Sequence, residues 1–252
     1  MKSSSPLRWT LCGLLAITGI VHADPQADAI LAQARQASGG KAWDTLNSLE
    51  MEASAQSSAM GQFAYRIKVS LTTAPREIAQ IEMGPLHVSW AWDGQQGWNT
   101  DPAGSVQMLQ QPAEIKERRT AVFGDAYGYF FTDRIPSERR YLGKRTIQHT
   151  AYDVVSVTPA GGAAIELLVN ERTHLIEGQI GTIGEPIQRQ RFSDFRTVNG
   201  MLVPFQIESL NAANDTPLDR TTVKAYRPNV AVSDADFAAP TQPARTADQG
   251  TK

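Results

Sequence analysis

Three histidines follow the first 23 residues: His87, His149 and His174. Each stands in a different period-two stretch, with no second histidine or acidic residue at a metal-ligand interval, so they read as surface or turn histidines. The chain contains no Gly-x-Ser-x-Gly turn that would present a serine nucleophile. Gly39-Gly40 closes a helical pattern and does not open one, which removes a phosphate-cradling loop. No Asp-Thr-Gly or Asp-Ser-Gly occurs, and Glu50 and Glu52 share a strand face in the manner of an ordinary solvated strand. Acid–base, nucleophilic and metal chemistry all need convergent polar groups, and none converge here. A non-enzyme without catalytic residue, metal or cofactor is expected.

Two other groupings carry information. Lys116, Arg118, Arg119, Arg134, Arg139, Arg140, Lys144 and Arg145 crowd one stretch; against Glu117, Asp125, Asp133 and Glu138 they leave a local charge of +4. Two readings stay open: a solvated helix face and strand edge, or a docking patch for acidic lipid headgroups or an acidic partner. Aromatics gather at Phe63, Tyr65, Trp90, Trp92 and Trp98, and again at Phe123, Tyr127, Tyr129, Phe130 and Phe131. These form either an ordinary core or the wall of an apolar cavity.

The elements that position these residues follow from period. Asp24-Pro25 starts a helix as N-cap and first residue; Ala27, Ile30, Leu31, Ala34 and Ala37 recur on one face to about residue 37. Lys41 to Leu46 makes one further short turn carrying Trp43. From Leu49 the period becomes two. Phe63, Tyr65, Ile67, Val69 and Leu71 alternate against Ala64, Arg66, Lys68 and Ser70; Leu86, Val88, Trp90 and Trp92 repeat the pattern before an Asp93-Gly94 hairpin signal. Short strands follow at about 104–109, 140–147, 151–158, 163–169, 174–181, 188–196, 202–210 and 220–227. Close-spaced strands without intervening helices predict an antiparallel meander. One helix, within 112–131, interrupts it, with Ile115, Val122, Phe123, Ala126, Tyr127 and Phe130 on one face and Gly124 and Gly128 weakening it. The expected fold class is α+β: a strongly curved antiparallel half-barrel of about ten or eleven strands, an N-terminal helix and an inserted lid helix.

The chain opens with Lys2 and Arg8, an apolar run of 11 residues from Leu11 to Val21, and Val21-His22-Ala23, the three-part pattern of a secretory signal cut after Ala23. A helix of that length spans roughly 17 Å, short of the ~30 Å needed by the alternative, a membrane anchor. Cys12 lacks the small preceding residue of a lipid-attachment site. Cleavage leaves 229 residues without cysteine and with 22 basic against 26 acidic residues. Disulfides, thiolate metal sites and nucleic-acid binding are thereby disfavoured. Residues 24–240 read as one domain and 241–252 as a disordered tail.

Ile30 to Leu49 (ILAQARQASGGKAWDTLNSL), Val88 to Trp98 (VSWAWDGQQGW), Phe192 to Phe205 (FSDFRTVNGMLVPF) and Asn229 to Pro240 (NVAVSDADFAAP) together resemble the outer-membrane lipoprotein-sorting, LolA/LolB-like superfamily. The resemblance implies a curved sheet around a helical lid, an apolar cavity for acyl chains of lipids or lipoproteins, and a periplasmic location. It also implies a regulatory branch that contacts an anti-sigma factor. A monomer that makes transient membrane-surface contact, with an envelope protein as a further partner, is the expectation. The alternative is a protein of the same fold that acts through its surface, its hollow filled by its own side chains. From pattern, Phe63, Tyr65, Val88, Trp90 and Trp92 on the sheet and Phe123, Tyr127 and Phe130 on the helix are the residues expected to touch a lipid.

Overall fold

A computed structural model describes residues 24–182, 184 and 186–240. The expected export signal at 1–23 and the expected tail at 241–252 lie outside the described residues.

Helix α1 (Pro25–Ala37) forms as the sequence dictates: Asp24 Oδ1 accepts from the Gln26 and Ala27 amides at 3.0 and 3.1 Å, and Ala27, Leu31 and Ala34 are buried. It ends at Gly39, whose φ of 128° suits glycine and where a Cβ would stand 2.4 Å from the Gly200 carbonyl oxygen. A 3-10 turn, Gly40–Thr45, then buries Trp43 completely, its Nε1 donating to the Ser38 carbonyl at 3.0 Å.

Thirteen strands follow: β1 (Ser48–Ser57), β2 (Gly61–Ser70), β3 (Arg76–Met83), β4 (Leu86–Trp92), β5 (Gly97–Thr100), β6 (Val106–Met108), β7 (Ser137–Ile147), β8 (Thr150–Pro159), β9 (Ile165–Asn170), β10 (Ile176–Gly181), β11 (Gln188–Val198), β12 (Met201–Asn211) and β13 (Pro217–Pro228). They build one open, curved antiparallel sheet in the order β6-β5-β4-β3-β2-β1-β13-β12-β11-β10-β9-β8-β7. The class is α+β, but the sheet exceeds the expected ten or eleven strands. The strand unforeseen in the sequence is β3. Its concave-face residues are Glu77, Ala79 and Ile81, all buried, so a carboxylate stands where alternation leads one to expect an apolar side chain.

Chain order leaves β6 and β7 at the two edges, joined by α2 (Pro112–Asp125), which packs on β4 from one half and β8 from the other. The helix is shorter than the expected 112–131. Tyr127 takes a left-handed φ of 50°, and Gly128–Phe130 form a separate 3-10 turn. Gly128 therefore does not weaken a helix. It makes room for Phe123, whose ring would meet a Cβ there at 2.3 Å.

The convex face carries a different closure. Glu50 and Glu52 hold Arg227 at 2.8 and 3.0 Å, and Glu52 also holds Arg66 at 2.7 Å. A final short helix, α3 (Asp234–Phe237), is capped by Ser233 and buries Phe237 against the outward side of β3 and β5.

Candidate functional site

The concave face does not close on itself. Between the sheet and the α2 segment lies a cavity of about 530 Å³. Its near wall is β2, with Phe63, Tyr65, Ile67 and Val69 in alternate positions; its far wall is β11 and β12, with Phe192, Pro204 and Ile207. Trp43 seats the other boundary. Its ring centroid stands 5.0 Å from Tyr127 and 5.1 Å from Phe130, so the turn after α2 is fixed by a packed aromatic group. Met60, 53% exposed in the β1–β2 turn, stands at the rim.

Of the residues expected to touch a lipid, Phe63, Tyr65, Trp90, Tyr127 and Phe130 line this cavity. Val88, Trp92 and Phe123 are not among its lining residues. Val88 is half-buried opposite Ile81. Trp92 and Phe123 sit in a second, 210 Å³ hollow, where the Arg119 guanidinium lies 5.2 Å from the Trp92 ring.

The basic run is largely consumed by structure. Arg118 donates to Asn99 Oδ1 at 2.9 Å, Arg134 to the Leu46 carbonyl at 3.1 Å, and Arg139, Lys144 and Arg145 pair with Asp28, Glu171 and Glu166. His87, His149 and His174 are exposed and separate, and no cluster of metal-ligating side chains occurs among the described residues.

Sequence reasoning missed two acids, one on the cavity wall and one beside it. Asp125, the last residue of α2, lines the cavity and is exposed by its accessible surface, although protein atoms surround it closely enough to desolvate its carboxyl. Beside it is Glu77 of β3, 1% exposed, whose Oε2 receives no hydrogen bond. Burial pushes the Glu77 carboxyl well above the usual carboxylate range, and the charge of Asp125 pushes it further. Burial also raises Asp125, against a hydrogen bond from Glu77 and the charge of Arg118. The signal was present: Asp125 falls three residues after Val122, on the apolar stripe of α2, and Glu77 falls on the inward register of β3. The phenols around them are un-ionised. Burial raises Tyr65 and Tyr127 to about 12 and lifts Tyr129 and Tyr226 further.

The described residues form an open, curved antiparallel sheet around a mainly apolar cavity. Solved structures share this fold. The chain is similar to a DUF1329 family protein from Desulfovibrio piger (TM-score 0.57, 12% identity, covering 84% of this chain and 97% of that one). It is also similar to a putative outer membrane lipoprotein-sorting protein domain from Vibrio parahaemolyticus (0.57, 7%, 84% and 96%) and to a LolA superfamily protein from Nitrosomonas europaea (0.56, 16%, 84% and 97%). The fold is that of the LolA-like superfamily. No family model and no curated protein matches the sequence.

Proposed function

We propose that the protein is an exported, non-catalytic periplasmic carrier or sensor that holds an acyl chain of a lipid or lipoprotein in the cavity beneath α2. The observation that carries this reading is the 530 Å³ cavity with its mainly apolar and aromatic wall, a volume within the ~300–1,000 Å³ range of small-molecule sites. The surface-acting alternative needs a hollow filled by its own side chains, and the open volume supports the carrier reading over it. Fold likeness to a lipoprotein-sorting domain supports the same reading, as does the signal pattern ending at Ala23. No helix among the described residues is long and apolar enough to cross a membrane.

The driving force suffices. Each buried methylene is worth about 0.8 kcal/mol, so six give roughly 5 kcal/mol. Phe63, Tyr65 and Trp90 on the sheet and Tyr127 and Phe130 after α2 are the proposed contacts, and α2 with its following turn is the proposed lid. Native mass spectrometry of protein isolated from the periplasm, followed by lipid extraction, tests the reading. The expected result is an added mass of one lipid or acyl chain and a mature N-terminus at Asp24. Protein that carries no lipid and also fails to bind N-phenyl-1-naphthylamine, a neutral apolar probe, would overturn it.

A further inference from the structure

We propose that the cavity selects its occupant by head group, through Asp125, and takes amphiphiles with a cationic, hydrogen-bond-donating head, a primary ammonium, in preference to carboxylates. This rests on the reading that the cavity holds apolar chains.

The first observation is the sign of the wall. Among the described residues no lysine, arginine or histidine lines the cavity, and the charged ones that do are Asp125 and Asp219. Asp219 pairs in register with Ser57 at the end of β1, near the exposed rim. Asp125 stands among Tyr65, Tyr127, Tyr129 and Tyr226, all within its electrostatic reach. A carboxylate head entering this wall would meet like charge and, among the described lining residues, no cation to pair with.

The second observation is an unmet need for positive charge. Two carboxyls, Glu77 and Asp125, face one guanidinium, Arg118, whose own charge is shared with Glu117. Arg118 is committed to Asn99 and lies 5.8 Å from the Trp90 ring. Glu77 is buried with an oxygen that receives no donor. Charge balance in the empty site requires one proton on the pair. A ligand ammonium replaces that proton. It supplies three N–H donors to a site rich in acceptors, and the displaced proton leaves to solvent, so net charge is conserved.

Three consequences separate this from a merely apolar hollow. Affinity for an alkylamine rises with pH for as long as the empty pair holds its proton, below the range where the amine itself deprotonates, because proton release accompanies binding. Affinity for the alkyl alcohol is flat with pH. Affinity for the fatty acid falls, because the acid must enter neutral.

The experiment is competition of decylamine, decanol and decanoic acid against N-phenyl-1-naphthylamine on the mature protein at pH 6 and pH 8, for wild type and Asp125→Asn. The expected result at pH 8 is decylamine at least tenfold tighter than decanol, decanoic acid weakest, and loss in Asp125→Asn of most of the advantage of decylamine over decanol. Calorimetry of the wild type at pH 6 in buffers of different ionisation enthalpy should find close to one proton released per decylamine and none per decanol. This second readout stands even if the variant does not fold. Equal displacement by amine and alcohol, or amine binding without proton release, overturns the head-group inference and leaves the carrier reading intact. If none of the three enters the cavity, the carrier reading falls and takes this inference with it.

Discussion

Two helices sit on opposite faces of the same sheet, and their carboxylates are treated in opposite ways. On the convex face, Asp236 of α3 lies 2.9 Å from Lys68 Nζ of β2 and accepts from both the amide and hydroxyl of Ser233. The Lys68 hydrogen bond, with those from Ser233, holds its carboxyl down at about 2. On the concave face, Asp125 of α2 is paired with another acid, Glu77 of β3, and both are pushed up. One helix is fastened by an ion pair and a cap; the other ends on two carboxyls whose neutral forms burial favours. The first arrangement is permanent across the physiological range. The second is the one that, under the proposal above, responds to an occupant of the cavity.

If α3 is purely a fastening, damaging it should cost stability and nothing else. Phe237 is fully buried, and Arg76 lies 4.6 Å from its ring. Phe237→Ala should lower unfolding stability by about 3–5 kcal/mol in urea titrations, the range for a large core truncation. Folded Phe237→Ala should still bind N-phenyl-1-naphthylamine within about twofold of wild type. Loss of probe binding in the folded variant would show that the two faces are coupled, and the contrast between them would fail.

The next effect is smaller and tests the other face. A folded-state value raised above the unfolded one contributes stability that is present below the unfolded value and lost as pH rises through the folded one. For Glu77 the fold therefore weakens toward alkaline pH. Glu77→Gln removes the titration and keeps the volume. It should raise stability by about 1 kcal/mol at pH 8 and show a smaller gain at pH 5, read from thermal melts. A variant less stable than wild type at pH 8 would mean that the ionised carboxylate is itself structural.

Asp236 carries the opposite sign. Its lowered value contributes stability above the unfolded value of 3.8, lost as pH falls through about 2. The pair is partly exposed, with side chains 22% and 28% accessible. Asp236→Asn should therefore cost only about 0.5–1 kcal/mol at pH 7. The difference from wild type should vanish in melts near pH 2. A penalty that persists there would assign the effect to helix capping and not to charge.

The same contrast explains what was legible in the sequence. Where burial and pattern agree, the residues announced the structure: Asp24 and Pro25 open α1, and β2 alternates as its burial does. Strand β3 was not legible because Glu77 occupies an inward position and breaks the period, and the reason for that break is the pairing with Asp125, a contact 48 positions away. Asp125 counts in the sequence only as one of four acids interspersed in a basic run, because the sequence cannot say that α2 lays this side of itself over the cavity. The helix was drawn six residues too long for a related reason. Aromatic spacing continues to Phe130, but Tyr127 turns left-handed so that Tyr127 and Phe130 can both reach Trp43, some 80 positions earlier. Short α3 left only a Ser233–Asp236 capping pattern, too brief to stand out.

The smallest expected effect concerns the helix interior next to Asp125. Gly124 lines the cavity, and a Cβ there would meet only the Gln179 amide, at 3.8 Å, an ordinary contact. Glycine inside a helix costs up to ~1 kcal/mol relative to alanine, and its proximity to the C-terminus of α2 reduces that figure. Gly124→Ala should therefore stabilise by about 0.5 kcal/mol, or 1–2 °C in melting temperature for a chain of this size. If ligand exchange requires the end of α2 to loosen, the same variant should slow dissociation of N-phenyl-1-naphthylamine by about twofold in stopped-flow, while Phe237→Ala leaves that rate unchanged. A stabilised variant with unaltered dissociation would show that the ligand leaves past the rim at Met60 without disturbing α2. In that case the acid pair would tune what the cavity holds without governing when it opens.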